Sequence, residues 1–464
     1  MARDAARARD ELKPAAGEAV AQTYAAYVSS LRYEDLPEPV VTLAKFCLID
    51  AVGCAVFGKR FPWSQIVLEE AVATGSAGRC VLPGVTAHRL DASKAALVLG
   101  AMAHAFELDS LRKPGAGVHP GATVALPALA VAQASGASGR ELITAIVAGC
   151  EVLFRIGAAT LHSPEKLGFH APGITGVFGS AAASAHLMKL SSQQTANAFG
   201  IAGSLAGGLL TFAASGTGGM VKRLHLGRAA ESGVVAARLA LRGYEGPRDV
   251  FEGTFGILDA YCDENDPSLL TKGLGETFDI KSICFKRYAC HVTAHAPVQL
   301  LRQWIEQDGF GGADIASISM EMSDKVVSHH GQTDPSDIML AQYSVPFTTA
   351  LAAFYDPDDP RAFSDEAVRD PWVRSLARKI TLQRRPGLSK GWGGRMWLTL
   401  ANGQTSEAEL SGFLGAPETP FAEAGLRRKF DRLIADEAAP LRATLFDQLL
   451  QLDTCGCVSD LALA

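Results

Sequence analysis

From about Ala19 to Tyr261 the succession of apolar and polar positions reads as helix nearly throughout. "DASKAALVLGAMAHAFELD" starts on a capping residue, Asp91, and continues with good helix formers. "SGRELITAIVAGCEVLFRIGAAT" sets Ser138 three residues ahead of Glu141, the capping-box spacing. "SSQQTANAFGIAGSLAGG" and "GRAAESGVVAARLALRGYEGP" follow suit, and the second exits at Gly243 and Pro247. No alternation of sheet type is expected in this half.

After about Ser282 the texture changes. "ADIASISMEMS", "RKITLQRR" and "GRMWLTLANGQTSEAEL" alternate as strands do, and "ANGQT" reads as a hairpin turn. Helical stretches such as "PVQLLRQWIEQ" and "YSVPFTTALAAFY" separate them, so an α+β module is expected here. A last helical segment, "EAGLRRKFDRLIADEAAPLRATLFDQLLQL", follows "LGAPETPF". The expected fold is therefore mostly α. An N-terminal tail (1–18) leads into a helical domain (19–283), then an inserted α+β lid domain (284–413), and residues 414–464 return to the helical body.

Composition sharpens this picture at a few points. The 46 glycines, with abundant alanine, favour helices that approach one another closely. A formal charge of -6, without a basic stripe or interleaved aromatics, argues against a nucleic-acid platform. Nine scattered cysteines fit a reducing compartment better than a disulfide framework. The Cys455–Cys457 pair lacks the second pair that a metal site would need. The first twenty residues have no apolar core and mix Arg with Asp and Glu, unlike a targeting segment. Apolar stretches such as "GIAGSLAGGLLTFAASG" are too short and too rich in Gly to span a membrane. A cytoplasmic protein without membrane contact is expected.

Four places carry candidate chemistry. In "HAFELDSLRKPGAGVHPGA", Asp109 ends one helix and His119 opens the next, placing an acid and a base on one loop. No strand precedes Gly115 and Gly117, which excludes a dinucleotide fingerprint. His170, in "KLGFHAPGITG", repeats the His-before-Pro setting at a helix start, where imidazole tends to stay neutral and anions are welcome. In "ASGTGGMVKRLHLGRAAESG", glycines from Gly216 to Gly219 precede Lys222, Arg223 and His225, a cradle for carboxylate or phosphate that lacks the Walker order. "CFKRYACHVTAHAP" supplies Lys286, Tyr288, His291 and His295. The two histidines are four apart, as on one helix face, but Val292 stands where a zinc protease has Glu, so no metal is expected. His329 and His330 read as surface residues, and His88, His162 and His186 as structural ones.

Together, "HAFELD…VHPGATVALPALA", "GFHAPGITGVFGSAAASAHLMKLSSQQTANAFGIAGS", "VKRLHLGRAAESGVVAARLALRGYEGP", "KRYACHVTAHAP" and "YSVPF" resemble the MmgE/PrpD family. Its members include 2-methylcitrate dehydratase, cis-aconitate decarboxylase and iminodisuccinate epimerase. The resemblance implies a homodimer with its active site between a helical domain and a lid, using no cofactor or metal. It places catalytic positions on Asp109, His119, His170 and Lys222, with His291 contributed by the lid and His295 as a neighbour able to replace it. Lys113, Arg223, Lys286, Tyr288 and His295 are the expected substrate contacts. Ser110 stands where members often carry a second Asp, while Arg112 and Lys113 add positive charge at the cleft edge. The implied activity is that of a lyase on a small di- or tricarboxylic acid, with a 2-methylcitrate-like dehydration foremost. Decarboxylation, epimerisation and non-catalytic polycarboxylate binding remain as alternatives.

Overall fold

The computed structural model describes residues 19–213, 218–388 and 392–464. The expected N-terminal tail (1–18) and part of the Gly216–Gly219 cradle lie outside the described residues. The architecture is mostly α. Helices Glu38–Gly58, Ala92–Ala103, Gly139–Ala159, Ala171–Leu187 and Val221–Leu241 form the centre of the body. Two of them, Glu38–Gly58 and Gly139–Ala159, are long and apolar enough to cross a membrane. Their apolar windows are 83% and 94% buried within the fold, so packing inside the protein accounts for that composition.

Capping follows the sequence signals. The Asp91 carboxylate accepts from the amides of Ser93 and Lys94, and Ser138 and Glu141 form a reciprocal capping box. Small residues then set the spacing between helices. Gly100 faces Gly227 so closely that a Cβ on Gly227 would lie 2.4 Å from the Leu97 carbonyl oxygen. This contact brings the end of Ala92–Ala103 beside the start of Val221–Leu241, and the candidate site grows from that junction.

One expectation about the helical half fails. Ala77–Leu82 and Val85–Leu90 pair as an antiparallel hairpin around Gly84, whose φ of +71° suits glycine. Its strands are short and largely exposed, so they carry no clear apolar alternation. Only the Pro83–Gly84 dipeptide announces the turn.

The later segment contains a four-stranded sheet ordered Ile380–Arg384, Ile315–Met322, Gly394–Leu400 and Thr405–Leu410. The first pair is parallel and the other two antiparallel. Helices Glu423–Leu433 and Ala439–Leu450 return to pack on Glu38–Gly58. There Lys429 reaches across to the buried carboxylate of Asp50 at 2.5 Å.

Candidate functional site

Four helix ends converge on one buried region. His104 caps the C-terminus of Ala92–Ala103, and His119 immediately precedes Pro120 and the π-helical turn Gly121–Ala125. His170 is the N-cap of Ala171–Leu187, while Lys222 and Arg223 lie in the first turn of Val221–Leu241. Three helix N-termini thus point their positive poles towards the same space, a setting that favours a negative ligand.

The first cluster is built on Asp109, which is fully buried. Both of its oxygens lie 3.0 Å from His104 Nδ1, and one lies 2.9 Å from His119 Nδ1. The His104 ring stands edge-on to His119 at 4.6 Å and lies 6.3 Å from His170. His170 and His225 bring their Nδ1 atoms within 3.1 Å. Burial holds His104 and His170 well below the ordinary imidazole range, with Asp109 opposing the shift at His104. Burial would raise the Asp109 carboxyl, but the imidazoles of His104 and His119 outweigh it and hold it well below the usual carboxylate range. Asp109 is accordingly a carboxylate, and burial holds His104 beside it neutral. A proton on Nδ1 facing that carboxylate leaves Nε2 as the basic nitrogen of each ring.

The second cluster is built on Glu107, which is 2% exposed and adopts a φ of +59°. A left-handed backbone at a non-glycine residue costs about 1 kcal/mol or more and persists where surrounding contacts enforce it. Here the contacts are electrostatic. Glu107 receives Lys222, Lys286 at 3.0 Å and the Tyr343 hydroxyl at 3.4 Å. Lys222 also stands 4.8 Å from the Tyr343 ring centroid. Burial, reinforced by Arg223 and Lys286, pulls Lys222 well below the normal lysine range. Burial likewise lowers Lys286, against the pull of Asp109, and pushes the Tyr343 hydroxyl up to about 12.

The clusters adjoin through Lys222, whose charge acts on both His104 and His291. His291 stacks on His330 at 4.0 Å and lies 5.4 Å from Tyr343. Burial, then His330, lowers the His291 pKa well below its usual range, and burial pushes His330 down to about 4. Lys222, Arg223 and Lys286 gather around the carboxylates of Glu107 and Asp109, all buried. Burial lowers all three basic groups, and an anionic ligand among them would favour their charged forms.

The structure brings Asp109, His119, His170, Lys222, Lys286 and His291 into this region. Arg223 borders it, bonded to the carbonyls of Gly219 and Ala105 and lying over the Trp63 ring. Three expected contacts are not brought there. Lys113 pairs with Glu418 at 3.0 Å and faces Trp392 and Phe413. Tyr288 stacks on His295, whose other neighbour is Phe413, and both side chains are buried in that aromatic layer. His291 and His295 do not share a helix face, because a 3-10 turn separates them and the helix proper begins at His295.

The expectation that His330 is a surface residue also fails, since it is 5% exposed and bonds the Tyr343 carbonyl. His104, Glu107 and Tyr343 were not recognised from sequence. A five-residue spacing from His104 to Asp109 and two acids flanking Leu108 were the available signals. Tyr343 opens the "YSVPF" stretch that carries part of the family resemblance, but nothing there marks a site residue. Among the described residues, His104, Asp109 and His119 are the one group whose ligand atoms lie close enough for a metal ion.

Comparison with known proteins agrees along most of the chain. Residues 22–270 match the MmgE/PrpD N-terminal domain and residues 288–448 the MmgE/PrpD C-terminal domain. A cis-aconitate decarboxylase of Aspergillus terreus is 30% identical over 380 residues, covering 76% of each chain. A cis-aconitate decarboxylase-like protein of Aspergillus oryzae is 29% identical, covering 94% of this chain and 95% of its own. The human cis-aconitate decarboxylase is 25% identical over 95% of this chain and 94% of its own. The chain belongs to the MmgE/PrpD family.

Proposed function

We propose that this protein is a lyase acting next to a carboxylate of a small di- or tricarboxylic acid, with residues 284–413 serving as a lid over the helical body. The observation that carries this reading is the buried trio of basic side chains, Lys222, Lys286 and Arg223, beside the Asp109 imidazole cluster. Removing a proton α to a carboxylate places negative charge on its oxygens. Lys222 would stabilise that charge, and burial makes such an interaction stronger than in water.

His119 is the base in this reading. The Asp109 carboxylate, 2.9 Å from its Nδ1, favours a proton there and leaves Nε2 as the basic nitrogen for the substrate. A protonated neighbour then delivers a proton to the departing hydroxyl, so dehydration consumes no external acid. The ammonium groups of Lys222 and Lys286 are within reach of Glu107, and a substrate carboxylate would compete with Glu107 for them. The reaction asks the protein for base, acid and positive charge, and its own residues offer all three.

Decarboxylation is the second reading, favoured by relatives named cis-aconitate decarboxylase. There Lys222 would stabilise the carbanion left by departing CO2, and the Lys286 ammonium would protonate it. Incubation with a panel of citrate-like and aconitate-like acids separates the two. Dehydration raises absorbance from a new conjugated alkene without gas release, whereas decarboxylation releases CO2 from an unsaturated acid. Absence of turnover with the entire panel would count against both.

A further inference from the structure

A second group of cations lies away from the imidazole cluster. A cavity of about 60 Å³ sits between the helix Glu423–Leu433 and the α+β segment. Arg287, Arg428, Lys429 and Arg432 line it, with Asp358 as the acidic member. That volume holds a few waters or one small oxyanion. Arg287 is clamped by Asp358 at 2.6 and 2.7 Å, and Arg432 reaches Asp356 at 3.1 Å. Lys429 pairs with Asp50.

One of the lining groups is incompletely satisfied: Nη1 of Arg432 is shielded from solvent and has no hydrogen-bond partner, with the Asp358 carboxylate 3.8 Å away. Buried polar atoms without partners call for a bound water or ion.

We propose that this cavity is an effector site for a small oxyanion, inorganic phosphate or a free carboxylate, separate from the catalytic region. Arg428 lies at its exposed rim and admits the ion, which then meets Arg432 and Lys429. Lys429 couples the cavity to the site. Its Nζ donates to the Leu108 carbonyl at 2.9 Å, and Leu108 stands between Glu107 and Asp109. An anion drawing the ammonium towards the cavity weakens that bond and loosens the loop holding both carboxylates. The effect is inhibitory, and it lowers kcat with little change in KM.

Thermal unfolding and steady-state turnover are measured with added phosphate or acetate at fixed ionic strength, using wild type and Arg428→Glu. Arg428 is exposed and outside the catalytic cluster, so basal turnover and folding of the variant are expected to be normal. Saturable stabilisation of the wild type, weakened at least tenfold in Arg428→Glu, is the expected result. Stabilisation by phosphate alone or by acetate as well identifies the anion. No stabilisation of the wild type by either ion overturns the proposal, as does equal stabilisation of the variant or inhibition that only raises KM. The thermal readout needs no substrate, so its outcome is independent of which reaction the enzyme performs.

Discussion

Replacing Asp109 by Asn removes one charge without emptying any volume. The carboxylate is fully buried and faces two imidazole nitrogens, His104 at 3.0 Å and His119 at 2.9 Å. An asparagine oxygen at the Oδ2 position can still face both rings, but without the charge. With the amide nitrogen at that position instead, a ring facing it must turn its lone pair inward and carry its proton on Nε2. If that ring is His119, the base is lost. Hydrogen bonds to a charged group contribute about 1.5 to 3 kcal/mol each. The structure gives one such bond, from His104, and a close contact without hydrogen-bond geometry to His119, so the loss is about 1.5 to 3 kcal/mol, or roughly 10- to 10²-fold in kcat. Initial rates on the acid selected by the panel provide the assay, with thermal unfolding and near-UV circular dichroism as controls for folding. KM should change little, because the substrate carboxylate is assigned to Lys222 and Lys286. A natively folded Asp109→Asn variant with a kcat within tenfold of wild type would refute the orienting role.

Lys222→Ala should reduce turnover by roughly 10² or more, since a buried charge-stabilising donor contributes about 3 to 4 kcal/mol; near-normal rates would remove Lys222 from the mechanism. Lys429→Met leaves Asp50 buried and unpaired, so a loss of about 3 to 5 kcal/mol is expected in denaturant titration. The double variant Asp50→Leu/Lys429→Met should recover much of that loss, and its failure to do so would contradict the ion-pair account. His104, His170, His291 and His295 all have pKa values lowered by burial, so they stay neutral when folded but bind protons when unfolded below about pH 6.5. Stability should therefore be fully present above that pH and fall by up to about 1.4 kcal/mol per pH unit for each imidazole below it. His295→Phe removes one such group from between Tyr288 and Phe413, so its melting temperature should drop less than that of wild type between about pH 7 and pH 5.5; an identical drop would argue against a buried neutral His295.

Local rules made the helical body legible. Asp91 and the Ser138–Glu141 pair cap the helices that their spacing announces, and the strand alternation after Ala313 yields the observed sheet. The hairpin at Ala77–Leu90 escaped because a small exposed ribbon needs little apolar pattern to form. Candidate chemistry was legible where residue type and helix position coincide, as at His119, His170 and Lys222. It was less legible where tertiary packing decides. His291 and His295 look equivalent in sequence, yet one meets His330 and Tyr343 while the other is sealed between aromatic rings. Glu107 gains its partners from elements more than a hundred residues away, and no local signal encodes that meeting.

The central claim is that one buried pocket presents positive charge to a substrate carboxylate and an Asp109-held imidazole to the adjacent carbon. A crystal structure with a non-reactive tricarboxylate bound tests it most directly. The account predicts a carboxylate oxygen within hydrogen-bonding reach of Lys222 Nζ and the neighbouring carbon facing Nε2 of His119. A ligand bound away from both residues, with Lys222 still resting on Glu107, would contradict it.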